Sequence, residues 1–157
     1  NAYMRYIIIN VGSDQGVQVG MAVISGGGVL IGRVAMVGPK VSRVKLLDDS
    51  ESAVAVLLQS SRATGLLVGQ ADGTLHLNYV PQDQNVSVGD IVLTSGLGGT
   101  LPKGLVVGQV AEVENVDYEM FQSIVVRPAL DSSRIEIVLV ITSFEKVPLE
   151  EGMTGGP

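Results

Sequence analysis

Two stretches of this chain repeat one another, and the repetition restricts its fold more than any other feature. Val17-Gln18-Val19-Gly20-Met21-Ala22-Val23-Ile24 matches Val86-Ser87-Val88-Gly89-Asp90-Ile91-Val92-Leu93 at a constant offset of 69 residues, polar and apolar positions in step except where Asp90 stands against Met21. Farther along, Gly32-Arg33-Val34-Ala35-Met36-Val37 matches Gly108-Gln109-Val110-Ala111-Glu112-Val113 at an offset of 76, so the second copy carries seven more residues between its blocks, within Ser95 to Gly104. A period of this length exceeds the solenoid range of roughly 20 to 50 residues. It divides the 157 residues into two related units.

Each unit reads as strands. The 26 Val and 10 Ile favour extended chain, and 20 Gly and 6 Pro cut the apolar runs into short pieces. Such runs occur at Met4 to Val11, Met21 to Ile24, Val29 to Val37, Arg43 to Leu47, Ala53 to Leu58 and Thr64 to Val68. Others follow at Thr74 to Asn78, Ile91 to Thr94, Leu105 to Val116, Phe121 to Arg127 and Arg134 to Ile141. This spacing leaves no room for crossover helices. Alternation in Arg43-Val44-Lys45-Leu46 turns the basic residues outward, and in Thr74-Leu75-His76-Leu77-Asn78 it turns Leu75 and Leu77 inward, as in half-exposed antiparallel strands. Val138 to Ile141 has no polar partner on either face and is expected as a central strand.

A small sheet removes its edges by curling closed, so the predicted fold is all-β, two small antiparallel β-barrels of five or six strands in tandem, with little or no helix. The first is expected over 1–78, its N-terminal strand open to sharing with the second, and the second over 79–149. Tyr79-Val80-Pro81-Gln82-Asp83-Gln84-Asn85 is polar and holds a proline, which predicts an extended inter-barrel connector and a place for a hinge. Residues 150–157 have lost all periodicity and are expected as a flexible tail.

Charge and composition narrow the function. With a net charge of -6 and ten scattered Lys and Arg, the chain lacks the basic cluster that nucleic acid or anionic lipid demands. The absence of cysteine excludes disulfides, thiolate metal sites and thiol catalysis, and leaves the compartment open. No apolar run approaches the roughly 20 residues that span a bilayer. The chain opens at Asn1, without an initiator Met, on a strand-like run, as expected of a soluble piece of a longer protein whose signal or anchor lies upstream. Its mean hydropathy of +0.39 is apolar for a free surface and points to surface covered by partners.

No constellation organises chemistry. The only histidine, His76, would need Ser95 as nucleophile and Asp83 or Asp90 as orienter to build a triad. In two-barrel serine proteases those partners come from different barrels, far apart in sequence, whereas His76 and Ser95 flank one connector; His76 reads as a solvent-facing strand residue. Asp48-Asp49-Ser50-Glu51 lacks the ligand spacing of a calcium loop and reads as a charged hairpin turn. Ser25-Gly26-Gly27-Gly28 is followed by neither Lys nor helix and reads as a β-turn rather than a phosphate cradle. Only Tyr3, Tyr6, Tyr79, Tyr118, Phe121 and Phe144 are aromatic, too few for a sugar-stacking barrel. The chain is therefore read as an interaction domain, not an enzyme, with no catalytic, cofactor or metal residue.

The richest stretch runs from Gly89 to Gly104. Its glycines permit positive φ, Pro102 fixes a turn, and Leu97 with Leu101 can pin the loop to a core, giving either ordered structure or a binding surface. Gly89-Asp90, then Thr94-Ser95-Gly96-Leu97-Gly98-Gly99, Pro102, Gly104 and Gly108, resemble the signature of the rod shape-determining MreC family in its extracytoplasmic core. Gly16, Gly20-Met21-Ala22-Val23, Gly32-Arg33-Val34 and Val44 to Asp48 also follow that pattern, so the resemblance covers Asn1 to Leu149. Leu101 departs from it, where the family favours Phe.

The resemblance implies two six-stranded barrels distantly like chymotrypsin-type folds, without protease activity or cofactor. It implies a scaffold of the bacterial cell-elongation machinery, linking the MreB cytoskeleton and MreD to the class B penicillin-binding transpeptidase of peptidoglycan synthesis and associating with itself as dimer or filament. It places the domain in the periplasm, on the outer face of the cytoplasmic membrane, where the full-length protein is anchored by a single N-terminal helix and a coiled-coil stalk absent from this chain. A serine-reactive phosphonate is expected to leave Ser95 unlabelled by mass spectrometry; stoichiometric labelling dependent on His76 would overturn the non-enzymatic reading.

Overall fold

A computed structural model describes residues 4–131 and 134–145. Their strands are β1 Tyr6–Ile9, β2 Ala22–Ser25, β3 Leu30–Val37, β4 Ser42–Leu46, β5 Ala53–Leu58, β6 Thr64–Gly69, β7 Leu75–Asn78, β8 Ile91–Thr94, β9 Val106–Glu114, β10 Ser123–Pro128 and β11 Val138–Val140. Between β1 and β2 the chain makes one 3-10 turn, Ser13–Gln15. Every pairing between these strands is antiparallel. Six strands close into a barrel in the order β10-β7-β6-β5-β8-β9, and five form a sheet in the order β1-β4-β3-β2-β11.

The repeat seen in the sequence recurs bond for bond. Gly20 N–H donates to the Val34 carbonyl at 2.8 Å, and Gly89 N–H to Val110 at 2.8 Å. Val34 N–H returns to Met21 at 2.9 Å, as Val110 N–H does to Asp90 at 2.9 Å. Gly20 and Gly89 take φ of 94° and 95°, a left-handed turn that a side chain would strain. The β2–β3 ladder skips Ile31 and the β8–β9 ladder skips Val107; the β3–β4 ladder skips Ala35 and the β9–β10 ladder skips Ala111. These paired β-bulges bend each long strand and sharpen its twist, which curls a short sheet around its core.

The outer strands correspond too, beyond what the sequence displays. Ile7 faces Val44 as Leu75 faces Val126, and Val140 faces Val23 as Leu58 faces Val92. Thus β1, β4, β3, β2 and β11 match β7, β10, β9, β8 and β5 in register. The barrel's sixth strand, β6, has no counterpart among the described residues of the first unit. That unit is an open half-barrel rather than the closed barrel expected.

The units also part elsewhere than predicted. The boundary drawn between 78 and 79 falls inside the closed barrel, because β7 and β8 on either side of it both belong there. The chain passes between units at 47–52, after β4, and returns after β10 to supply β11. Asp48-Asp49-Ser50-Glu51 is therefore a crossover and not a hairpin, and it is held by Asp49, whose carboxylate accepts Arg5 N–H at 2.6 Å and Glu51 N–H at 2.8 Å. Val138 to Val140 is not central: β11 pairs only with β2, and Leu139 is 52% exposed. Its apolar run signals an uncovered edge, a case that periodicity cannot separate from burial on both faces. The predicted tail, 150–157, lies outside the described residues.

One core cluster fills the barrel, with Val56, Leu58, Leu75, Val92 and Ile124 at its centre, and draws in Ala22, Leu30 and Leu47 from the first unit. A smaller cluster of Ile9, Val17, Val23, Val34 and Val44 lines the half-barrel. The units are further stitched by a parallel bridge between Val29 and Val106.

In each unit the strand that carries the bulges, β3 or β9, crosses its neighbour where glycine is required. A Cβ on Gly32 would collide with the Lys45 carbonyl, and one on Gly108 with the Arg127 carbonyl. Gly32→Ala and Gly108→Ala are each expected to cost about 1–3 kcal/mol of stability through overpacking. Gly26→Ala, where the added methyl meets nothing within 4 Å, serves as the neutral control in urea denaturation.

Candidate functional site

The loop that resembled a family signature begins at the turn of Gly89, where the Asp90 carboxylate accepts Ser87 N–H at 2.9 Å and so braces the entry to β8. At the strand's end Thr94 is fully buried; its hydroxyl donates to the Pro102 carbonyl at 2.6 Å and accepts Leu105 N–H at 2.9 Å, tying both ends of the seven-residue insert together. Ser25 holds the shorter loop of the first unit the same way, its Oγ accepting Val29 N–H at 3.2 Å. Ser95 is buried, with its N–H on the Ala55 carbonyl and its Oγ accepting Leu97 N–H at 3.2 Å. Gly96, Gly98, Gly99 and Gly104 all take positive φ. Leu101 is 4% exposed and joins the barrel core, whereas Leu97 is left at the surface. The loop plugs the barrel, with Leu97 as its exposed tip.

Tyr79, Val80 and Pro81, predicted as an inter-barrel connector, instead belong to the closed barrel. Val80 is fully buried and its carbonyl accepts Gln122 N–H at 2.9 Å. The Gln122 side chain donates to the carbonyls of Pro81 at 2.8 Å and Gln84 at 2.7 Å, so this segment is clamped rather than hinged. Tyr79, at a positive φ of 71°, meets Phe121 edge to face at 5.6 Å. Tyr118 and Met120, which shortly precede Phe121 in the chain, are exposed as well. Sequence reasoning missed that ring pair, because its two members lie 42 positions apart in the chain.

His76, Ser95 and Asp90, considered for a triad, are engaged elsewhere. His76 Nε2 lies 3.0 Å from the Thr74 hydroxyl, on β7, which β6 and β5 separate from β8. Nearby Asp72 is held below the usual carboxylate range by the Thr74 hydroxyl and N–H that donate to it. Among the described residues no three His, Asp or Glu side chains gather as a metal site.

What the fold leaves open is backbone and apolar surface. In the closed barrel β6 sits between β7 and β5; in the half-barrel no strand among the described residues takes the matching place between β1 and β11. A cleft of about 560 Å³ runs there, lined by Ile7 to Asn10 on one side and Ile135 to Val138 on the other. Ile8 is 59% exposed beside it. An unpaired edge flanked by apolar side chains is a template for an added strand.

A family model described as "Rod shape-determining protein MreC, barrel core" matches residues 1–142. The cell shape-determining protein MreC of Cereibacter sphaeroides is 36% identical over 149 residues, covering 95% of this chain and 47% of that protein. The Escherichia coli protein of the same name is 34% identical over 141 residues, covering 88% and 38%. This chain spans about half the length of the curated relatives it matches, or less. The crystal structure of MreC from Pseudomonas aeruginosa superposes with a TM-score of 0.84 at 30% identity, covering 90% of this chain and 91% of that one. The fold is shared as well by the MreC of Helicobacter pylori, solved in complex with a penicillin-binding protein, with a TM-score of 0.67 at 19% identity, covering 87% and 96%.

The plug gives the buried residues of the signature loop a structural role. Leu101→Ala is expected to cost about 2–5 kcal/mol as a core cavity, and Thr94→Val about 1–3 kcal/mol for the carbonyl and N–H it orphans. Leu97→Ala is expected to stay within about 0.5 kcal/mol of the parent. Equal losses at all three positions in denaturant titration would contradict the plug.

Proposed function

This chain belongs to the family of rod shape-determining MreC proteins, and from that premise we propose that it is the outer-face domain of a non-enzymatic scaffold for bacterial cell elongation. In this reading it docks the class B penicillin-binding transpeptidase, joins that enzyme to MreD and the MreB cytoskeleton, and associates with copies of itself. The full-length protein is anchored by one membrane helix upstream of this chain, which leaves the domain in the periplasm.

The observation that carries the reading is the open seam of the half-barrel. Among the described residues the fold completes one six-stranded barrel and leaves its sister one strand short, with the outer edges of β1 and β11 unpaired. Soluble proteins ordinarily blunt such edges with charge or proline, yet here Ile8, Ile137 and Leu139 stand exposed beside them. A scaffold needs surface of this kind, because main-chain pairing supplies affinity while alternate side chains supply specificity. The MreC of Helicobacter pylori solved with a penicillin-binding protein supports the choice of partner.

The test is binding of the purified transpeptidase to this chain by biolayer interferometry. Ile8→Lys and Leu139→Lys place a charge on exposed positions at either side of the seam, so they should leave the melting temperature unchanged. They are expected to weaken binding about tenfold or more, as for contacts at the centre of an interface. Undiminished affinity in both variants would sink the seam as the docking surface.

A further inference from the structure

On the outward face of the half-barrel, Arg33 of β3 lies directly opposite Lys45 of β4. Like charges placed across a ladder repel, and here the two cations line one cleft of about 310 Å³ together with Gly20, Glu51, Ser52 and Ala53, where the half-barrel meets the start of the closed barrel. Arg33 Nη2 donates to the Ala53 carbonyl at 2.7 Å and Nη1 lies 3.5 Å from the Thr100 hydroxyl, both neutral acceptors. Among the described residues no carboxylate pairs with Arg33; Lys45 reaches Glu51 at 3.8 Å, a side chain 75% exposed to water. Burial pushes the Arg33 guanidinium below its ordinary pKa, the mark of a cation partly stripped of water and not repaid by a counter-charge.

The closed barrel supplies an internal control. The residue matching Arg33 is Gln109, and it faces Arg127, which matches Lys45. The same ladder, with the same bulges, therefore forms with a single cation, so the second is not required by the fold. Arg43, on the same face of β4, lies 4.6 Å over the ring of exposed Tyr6. Three of the chain's ten basic residues thus crowd one hairpin face of a protein with net charge -6.

We propose that the cleft at Arg33 and Lys45 is a carboxylate-binding site whose occupant is an Asp or Glu side chain of a docking protein. The charge is complementary, and the planar fork of arginine accepts a carboxylate in bidentate fashion. The cleft stands at the lower bound of small-ligand pockets, which run from roughly 300 to 1,000 Å³, and takes one short side chain rather than a nucleotide. Exposed Tyr6 and Ile8 nearby offer apolar contact to the residues flanking the acid. The site rests on the reading of this chain as a docking domain and names the chemistry its partner must present.

The experiment uses a blocked pentapeptide, acetyl-Thr-Val-Glu-Val-Thr-amide, its Gln counterpart, and N-acetylalanine as a free terminal carboxylate, each titrated into the 15N-labelled chain. The Glu peptide is expected to shift the amides of Gly32 to Val34 and Ala53 in saturable fashion, about tenfold more tightly than the Gln peptide. Arg33→Gln, which recreates the pairing already present at Gln109 and Arg127, should keep the fold and abolish that preference, and Lys45→Gln should weaken it. Equal binding of the Glu and Gln peptides, or a preference that survives Arg33→Gln, would overturn the site. Tighter binding of N-acetylalanine would overturn the side-chain occupant, and an effect of Arg33→Gln confined to self-association in sedimentation would assign the cleft to a second copy instead. Transpeptidase binding with no Glu preference would refute this site alone, whereas a Glu preference without transpeptidase binding would refute the scaffold reading alone.

Discussion

Every backbone edge of a sheet must find a partner, curl away, or stay exposed, and the rest of this structure follows from how that demand is met twice by related sequence. In one copy β6 bridges β7 and β5 and the ladder closes on itself. In the other, five strands repeat the same registers and bulges, and the ladder stops at β1 and β11. The hydrophobic core tolerates the difference because the half-barrel leans on its sister: Ala22, Leu30 and Leu47 are buried in the larger cluster. The closed copy thus serves as foundation, and the open one keeps unsatisfied hydrogen-bonding capacity at the surface.

Much of this was legible in the sequence and some was not, for identifiable reasons. The offsets of 69 and 76 located the β2–β3 and β8–β9 hairpins, since the turn glycines and the glycines at strand crossings are fixed by backbone geometry and leave their mark in any copy. The equivalence of β4 with β10 was hidden, because there the inward residues are merely apolar and interchangeable. The boundary at Tyr79 failed because a proline and polar residues announce a loop without telling which sheet the next strand joins. The single missing strand could not be read either: closure is a property of the whole ladder, and no residue carries it.

The signature loop and the surface divide labour in a way the sequence left undecided. Thr94 and Leu101 hold the loop inward, so most of its glycines answer to backbone conformation. The polar cleft at Arg33 was missed for the opposite reason. Its two cations are twelve positions apart in the chain, and only strand pairing sets them face to face. The same outward alternation that marked Arg43 and Lys45 as solvent-facing gave no hint that a third cation would stand beside them.

The return of the chain to its first sheet has a kinetic consequence. All six strands of the closed barrel lie within 53–128, one uninterrupted stretch, whereas the half-barrel joins residues near its beginning to β11 at 138–140. Contacts so distant in sequence are slow to form, so a polypeptide emerging from its N-terminus is expected to consolidate the second unit before the first. Pulse-labelled hydrogen exchange resolves the sequence of events, with amides of β5 to β10 protected ahead of those in β2; the reverse order would contradict it.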